Sequence, residues 1–324
     1  MDNQMNFTDL EFAQRRHKTK KERFLEQMDK VVPWSAWIAL IQPFYPDGKR
    51  GRKPQEIERM LRMLLLQTWF NLSDEGIEDA LYDSYAMKTF IGINFDAGEQ
   101  APDATTLCKF RKLLNEHGLQ KKMFRQLEDL LTEKGCMVQG GSIVDATIIE
   151  ASSSKKNKEK QTDPEMHSTR KNTKWYFGMR AHIAVDPVHG YAHHVIVTPA
   201  NTAEIKVAPK LLRDTDEVVY GDSGYLKMDR YDTSGIERQY RIVRQRGTFI
   251  RHYGKSIAYE IEKETEKRKS SMRCKVEYVF HIVKDIFKWR RAKYKGISKN
   301  ESHAHLLFAS ANLYMLASVK RSMG

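Results

Sequence analysis

The spacing of apolar residues changes character at Gly140-Gly141. Before that pair, apolar positions recur at helical intervals. "KPQEIERMLRMLLLQTWF" places Pro54 in a first turn and carries a dense apolar face from Ile57 to Phe70, which predicts a core helix. "LSDEGIEDALYDS" predicts a helix capped by Ser73, whose hydroxyl suits the orphan amides of a first turn. "PDATTLCKFRKLLNEHG" predicts another, with Asp103 as cap, Leu107, Phe110, Leu113 and Leu114 as apolar face and Gly118 as stop. A further helix is expected from Gln120 to about Glu133. Residues 1–138 thus read as one helical region and residues 139–324 as a second region of another kind.

After the glycine pair the apolar runs shorten and become β-branched. "SIVDATIIEA" predicts a buried strand, and "WYFGMRAHIAVD" and "YAHHVIVTPAN" predict two more joined by a hairpin at "PVHG". A helix from about Thr202 to Arg213 leads to a fourth strand in "VVYGDSGY", and "RQYRIVRQR" is a fifth. A long charged helix is expected from about Ala258 to beyond Lys288, then a last apolar one in "HAHLLFASANLYMLASVK". The sum is a mixed α/β region with helices covering a sheet. The run "SSSKKNKEKQTDPEMHSTRKNTK" is polar, basic and without period, and is expected to be a mobile loop.

Composition narrows the function. The chain carries a net charge of +13. The segment Arg241–Lys299 holds 18 Lys or Arg against 6 Asp or Glu, nearly the whole excess in one fifth of the length. A localised basic surface gains affinity for a polyanion by releasing counterions, so nucleic acid is the expected partner. No run approaches the ~18 apolar residues of a membrane span, and the acidic, polar start is unlike a secretory signal. Three separated cysteines, Cys108, Cys136 and Cys274, suggest neither a zinc cluster nor a disulfide framework, in keeping with a reducing cytoplasm.

Carboxylates supply the candidate chemistry. Asp145 interrupts the apolar run Ile143–Ile149, where a charge is costly unless paired or bound to metal. Glu150, five positions on, faces the other side of that strand. Asp222 ends the fourth strand. If strands one and four are parallel neighbours, both acids stand at adjacent positions and their repulsion calls for a cation. Hard oxygen ligands without thiolates suit Mg²⁺ or Mn²⁺. At about 100° per residue, Arg273, Glu277, His281, Lys284 and Lys288 share one helical stripe. Glu277 there is a third acid, or equally one member of a salt-bridge ladder worth about 0.3–0.5 kcal/mol per pair. His193 and His194 are expected on opposite faces of their strand and Asp186 in a turn, while Arg180 and His182 share one strand face and either line a DNA path or, for His182, form a packed sheet histidine.

These residues form a familiar order. Arg273, three residues, Glu277, six residues and Lys284 follow the motif Y-x2-R-x3-E-x6-K, with Ser270 in place of the tyrosine. Together with "VDATIIEA", "TPANTAE", "YGDSGY" and "APDATTLCKFRKLL", the chain resembles the DDE transposases of bacterial insertion sequences, in particular the group related to insertion sequence five. The resemblance covers most of the chain. It implies an RNase H-like mixed β-sheet flanked by helices, preceded by an all-α N-terminal DNA-binding region. It also implies two-metal phosphoryl transfer with Asp145, Asp222 and Glu277 as catalytic residues and ligands of two Mg²⁺ (or Mn²⁺) ions. The same site would cut the element's ends and join them to target DNA.

Arg273, Lys284 and Lys288 are then expected to hold phosphates beside the cut. The helix bearing Lys109, Arg111 and Lys112 either enters a major groove, as in a helix-turn-helix, or is a plain amphipathic core helix. "RGRKP", residues 50–54, is a basic loop or an interrupted minor-groove hook. A homodimer is expected because two DNA ends must be held, in the cytoplasm at the nucleoid. The rival readings are a catalytically inactive DNA-binding regulator and a structure-selective nuclease of the same fold.

Overall fold

Residues 17–48, 53–154, 161–245 and 256–323, with Arg15 and Gly247, are described by a computed structural model. They divide into two units, Met1–Leu119 with Leu313–Gly324, and Gln120–Asn312. Most of the "RGRKP" segment, residues 155–160 of the basic loop and much of 246–255 lie outside the described residues.

The first unit is helical, as its apolar spacing predicts. Its helices are α1 (Lys20–Asp29), α2 (Trp34–Ile41), α3 (Ile57–Trp69), α4 (Asp74–Asp83), α5 (Tyr85–Ile91) and α6 (Ala104–Glu116). α3 is the core element, with Met60, Leu61, Met63, Leu65 and Leu66 fully buried. It begins later than its sequence suggests: Glu56 is the N-cap and Pro54 precedes the helix instead of entering its first turn. Ser73 and Asp103 cap α4 and α6 by accepting from Gly76 N at 2.9 Å and Thr106 N at 2.6 Å. Each such cap stabilises by about 1 kcal/mol.

α7 (Leu119–Glu133) begins on the last residue of the first stretch, and the second unit is organised by a six-stranded sheet. Its strands are β1 (Gly141–Glu150), β2 (His167–Lys171), β3 (Lys174–Val185), β4 (Ala192–Pro199), β5 (Val218–Gly221) and β6 (Gln239–Ile242). The order is β2-β3-β1-β5-β6, and β4 pairs with the part of β3 beyond β2. β1 is antiparallel to β3 and parallel to β5, which is parallel to β6. Val144, Ala184, Ala208, Leu211, Val219, Tyr225, Met228 and Ile242 form the core on one side. Gly178 is required where β3 crosses β1, because a Cβ there would collide with the Ile149 carbonyl.

Three connections depart from the sequence reading. "HSTRK", expected in a mobile loop, is strand β2, held to β3 by a two-residue turn with Asn172 at φ 55°. It escapes a periodicity search because almost every side chain on it is exposed. The helix expected over Thr202–Arg213 is only the single turn α8 (Glu204–Val207), followed by a 3₁₀ turn Ala208–Leu211 that contains Pro209. The long charged helix α9 (Ile257–His281) gives way to a π turn at Ile282–Ile286. Lys288 lies beyond that turn at φ 61°, so it does not continue the helical stripe. The last helix, α10, spans Ile297–Met323. Among the described residues no helix is long and apolar enough to cross a membrane.

Candidate active site

Asp145 and Asp222 meet because β1 and β5 are parallel neighbours. Ser142 pairs with Val219 and Ile143 with Tyr220. The same offset carried two residues further sets Asp145 beside Asp222, on one side of the sheet. Asp222 caps a short turn, accepting from Gly224 N at 2.8 Å, while Tyr225 N donates to its carbonyl at 3.0 Å. Gly221 before it lets the Tyr225 ring close down: a Cβ there would stand 3.1 Å from that ring. The aspartate between glycines is thus both turn former and acid at a strand end.

Asp145 is largely buried and accepts from Ala146 N at 2.7 Å. Burial pushes its carboxyl up to about 6, and the charges of Asp222 and Glu204 push the same way; the Ala146 amide and Arg273 oppose them. Arg273, on α9, reaches Asp145 Oδ2 at 3.5 Å and Glu277 Oε1 at 4.0 Å. Glu277 itself is 61% exposed, so its link to the buried acid runs through Arg273. The Arg273 Nε is buried with no hydrogen-bond partner among the described residues.

The π turn rotates Lys284 onto the sheet, where its Nζ donates to Ile148 O at 3.0 Å. Burial holds its ammonium pKa down, and Lys171 and Arg290 add like charge. Three cations therefore gather near the end of β1. Lys288 is exposed on the segment that follows. In the helical unit Lys109 and Lys112 are exposed, but Arg111 is turned inward. Its guanidinium binds both Asp74 oxygens, at 2.6 and 2.8 Å, and Gln67 Oε1 at 3.0 Å. Asp74, in the first turn of α4, and the buried Gln67 amide occupy the guanidinium that the sequence offered as a DNA contact.

Other sequence candidates fall as follows. His182 is a packed sheet histidine, buried beside Thr198 Oγ1 at 2.8 Å and pushed down to about 3 by burial. The buried Asp186 carboxylate accepts from Val188 N, His189 N and Tyr191 N at 2.8–3.0 Å, closing the β3–β4 turn. His193 and His194 do not point apart. A β-bulge pairs Ala184 with His194 and Val185 with Ala192, leaving His193 as the extra residue, and the two Nδ1 atoms meet at 3.0 Å. Ser142 gives its hydroxyl proton to Asp216, so His193 Nε2 must donate to Ser142. His193 Nδ1 is then the acceptor, and His194 donates to it. Glu128 lies within 4.8 Å of both rings.

One acid of the site was not singled out from the sequence. Glu204 opens α8, pairs with Arg180 at 2.8 Å and faces the Tyr225 hydroxyl. Its position in "TPANTAE", on the crossover into the strand bearing Asp222, was the available signal.

An acid within β1 and another just past the end of its parallel neighbour β5, with an antiparallel arm beside them and a basic helix packed on the sheet, are the arrangement of an RNase H-like domain. Residues 138–313 match the family described as Transposase DDE domain, and residues 13–113 match the one described as Transposase domain (DUF772). The first match spans more than half of the chain, and the chain belongs to the DDE transposases of insertion sequences, enzymes that cut and transfer DNA. No solved structure matches it. DDE transposase domains use divalent metal ions. The donors are of the kind such ions take: the carboxylates of Asp145 and Asp222 lie in one field, and Arg273 is the counter-charge between Asp145 and the more exposed Glu277.

Proposed function

We propose that the chain cuts the ends of its insertion sequence at terminal inverted repeats and joins them to target DNA, with Asp145, Asp222 and Glu277 holding two Mg²⁺ or Mn²⁺ ions. The observation that carries this reading is Arg273 lying between Asp145 and Glu277 while Asp145 also feels Asp222. When bound, the cations supply activation of the attacking oxygen and stabilisation of the leaving one.

The chain's own residues do the rest. Asp145 and Asp222 are fixed by backbone amides, so their oxygens are pre-oriented. Arg273 neutralises the acids in the ion-free protein and is placed to meet a phosphate once they are otherwise occupied. Lys284, held on β1, and Lys288 beside it extend the phosphate track. Lys109 and Lys112 on α6 contact the DNA end, where Arg111 acts as a brace. A homodimer holds the two ends, in the cytoplasm at the nucleoid.

The test is Mg²⁺-dependent cleavage and strand joining on a fragment carrying the terminal repeats. Asp145→Asn, Asp222→Asn and Glu277→Gln each remove a ligand charge at nearly constant shape. Each is expected to abolish cutting and leave end binding intact; normal cutting by all three overturns the assignment. Joining of the cut 3′ ends separates this reading from a nuclease.

A further inference from the structure

The Asp222 turn is braced by a second acid that comes from elsewhere in the chain. Arg180, on β3 opposite Ile148, reaches Glu204 Oε1 at 2.8 Å and also donates to Thr202 O at 3.3 Å. The start of α8 is thereby tied to the sheet. The Tyr225 hydroxyl, on a side chain only 1% exposed, faces the same Glu204 carboxylate, where α8 packs against the turn Ser223–Tyr225. Tyr225 closes the turn that Asp222 caps, through its amide to Asp222 O at 3.0 Å, and its ring packs on Gly221. An unbroken path of contacts therefore runs from β3 through Arg180, Glu204 and Tyr225 to Asp222.

We infer that Glu204 is a positioning residue of the catalytic centre, which fixes the Asp222 turn through Tyr225 and so sets how tightly the acids hold divalent cations. The inference rests on the proposed role of Asp145, Asp222 and Glu277. Glu204 is not a ligand in this scheme, because a guanidinium and a phenol already meet its carboxylate. Its charge is nonetheless felt at the site: it acts on Asp145, and Asp222 acts on it. A buried phenol whose acceptor is removed must find another partner, and in a tight turn the available adjustment is to move the turn.

The experiment measures Mn²⁺ binding to the full chain without DNA, by electron paramagnetic resonance of the free ion, beside the metal dependence of end cleavage. Glu204→Ala and Tyr225→Phe are each expected to raise the half-saturating Mn²⁺ concentration about 10-fold, within the range for groups that orient metal ligands. Cleavage should recover at high metal, with end binding unchanged. Glu204→Asp should recover part of the affinity, and Glu204→Gln should show a smaller shift than the alanine. Wild-type Mn²⁺ curves for both Glu204→Ala and Tyr225→Phe overturn the inference. A shift in Glu204→Gln equal to that of Glu204→Ala, with Tyr225→Phe silent, also overturns it, since Glu204 would then act by charge alone. If Glu204→Ala fails to fold by circular dichroism, Tyr225→Phe and Glu204→Gln decide. Asp145→Asn is the control: if it binds Mn²⁺ and cuts normally, the reading of the acids fails. If it loses both while the Glu204 and Tyr225 variants do not shift, only the positioning role falls.

Discussion

Arg273 Nη2 lies 3.5 Å from Asp145 Oδ2, so the largely buried acid of β1 is met by a cation of the protein itself. The same guanidinium reaches Glu277, which makes it the counter-charge of two acids from different elements. A divalent ion entering between them competes with it. Arg273→Ala is therefore expected to bind Mn²⁺ at least as tightly as the wild type, yet to cut about 100-fold more slowly for want of a phosphate clamp. Mn²⁺ titration and single-turnover cleavage check the two halves separately. Loss of Mn²⁺ binding would instead make Arg273 a scaffold for the acids.

The raised Asp145 carboxyl makes stability depend on pH in the ion-free protein. Its folded value of about 6 lies above its ordinary 3.8, so the stabilisation it contributes is complete below about 4 and is lost as pH rises through 6. Above that, a buried charge is carried at a cost of about 2–3 kcal/mol. Asp145→Asn removes the charge while keeping an oxygen for Ala146 N. It should melt higher than the wild type at pH 7.5, and the difference should close below pH 4. Mg²⁺ should raise the wild-type Tm and leave that of Asp145→Asn unchanged. Calorimetry with and without Mg²⁺ across this range checks both.

Much of the site was legible because it depends on strand neighbours and offsets. An acid inside an apolar run and another at a strand end imply adjacency once a crossover is present, and the Ile143–Tyr220 register bears that out. The caps at Ser73 and Asp103 were legible for a similar reason, since they are local. What stayed hidden depends on partners distant in sequence. β2 is a strand only because β3 offers it a ladder. No glycine or proline marks the π turn that aims Lys284 at Ile148 O. His193 meets His194 through a bulge that alternation cannot foresee. Glu204 looks like an ordinary first-turn acid until Arg180 and Tyr225 converge on it.

Arg111 tests whether a basic residue on α6 is a brace or a DNA contact. Its bidentate pairing holds the Asp74 carboxyl well below the usual carboxylate range, with the Cys108 thiol and Gln67 amide helping. The stability from this pair is present above the ordinary 3.8 and is lost as pH falls. Arg111→Ala should cost about 2 kcal/mol at neutral pH, and less in acid. Lys109→Ala with Lys112→Ala should stay within about 0.5 kcal/mol of the wild type. Urea melts at pH 7 and pH 3 distinguish the two cases.

The same residues separate charge from structure in DNA binding. Each lysine or arginine that meets a phosphate releases counterions, so affinity for an end fragment should fall steeply between ~50 and ~200 mM salt. Replacing one phosphate-contacting lysine lowers the slope of log K against log salt by about 1, whatever the sequence of the fragment. Lys288→Ala should do this, and Lys109→Ala with Lys112→Ala should lower the slope by about 2. Arg111→Ala should leave the slope unchanged, because Asp74 and Gln67 already consume its guanidinium. Anisotropy titrations across the salt range check this. A flat salt response in the wild type would remove the basic surfaces from the DNA interface, and a lower slope in Arg111→Ala would turn that side chain outward again in the bound state.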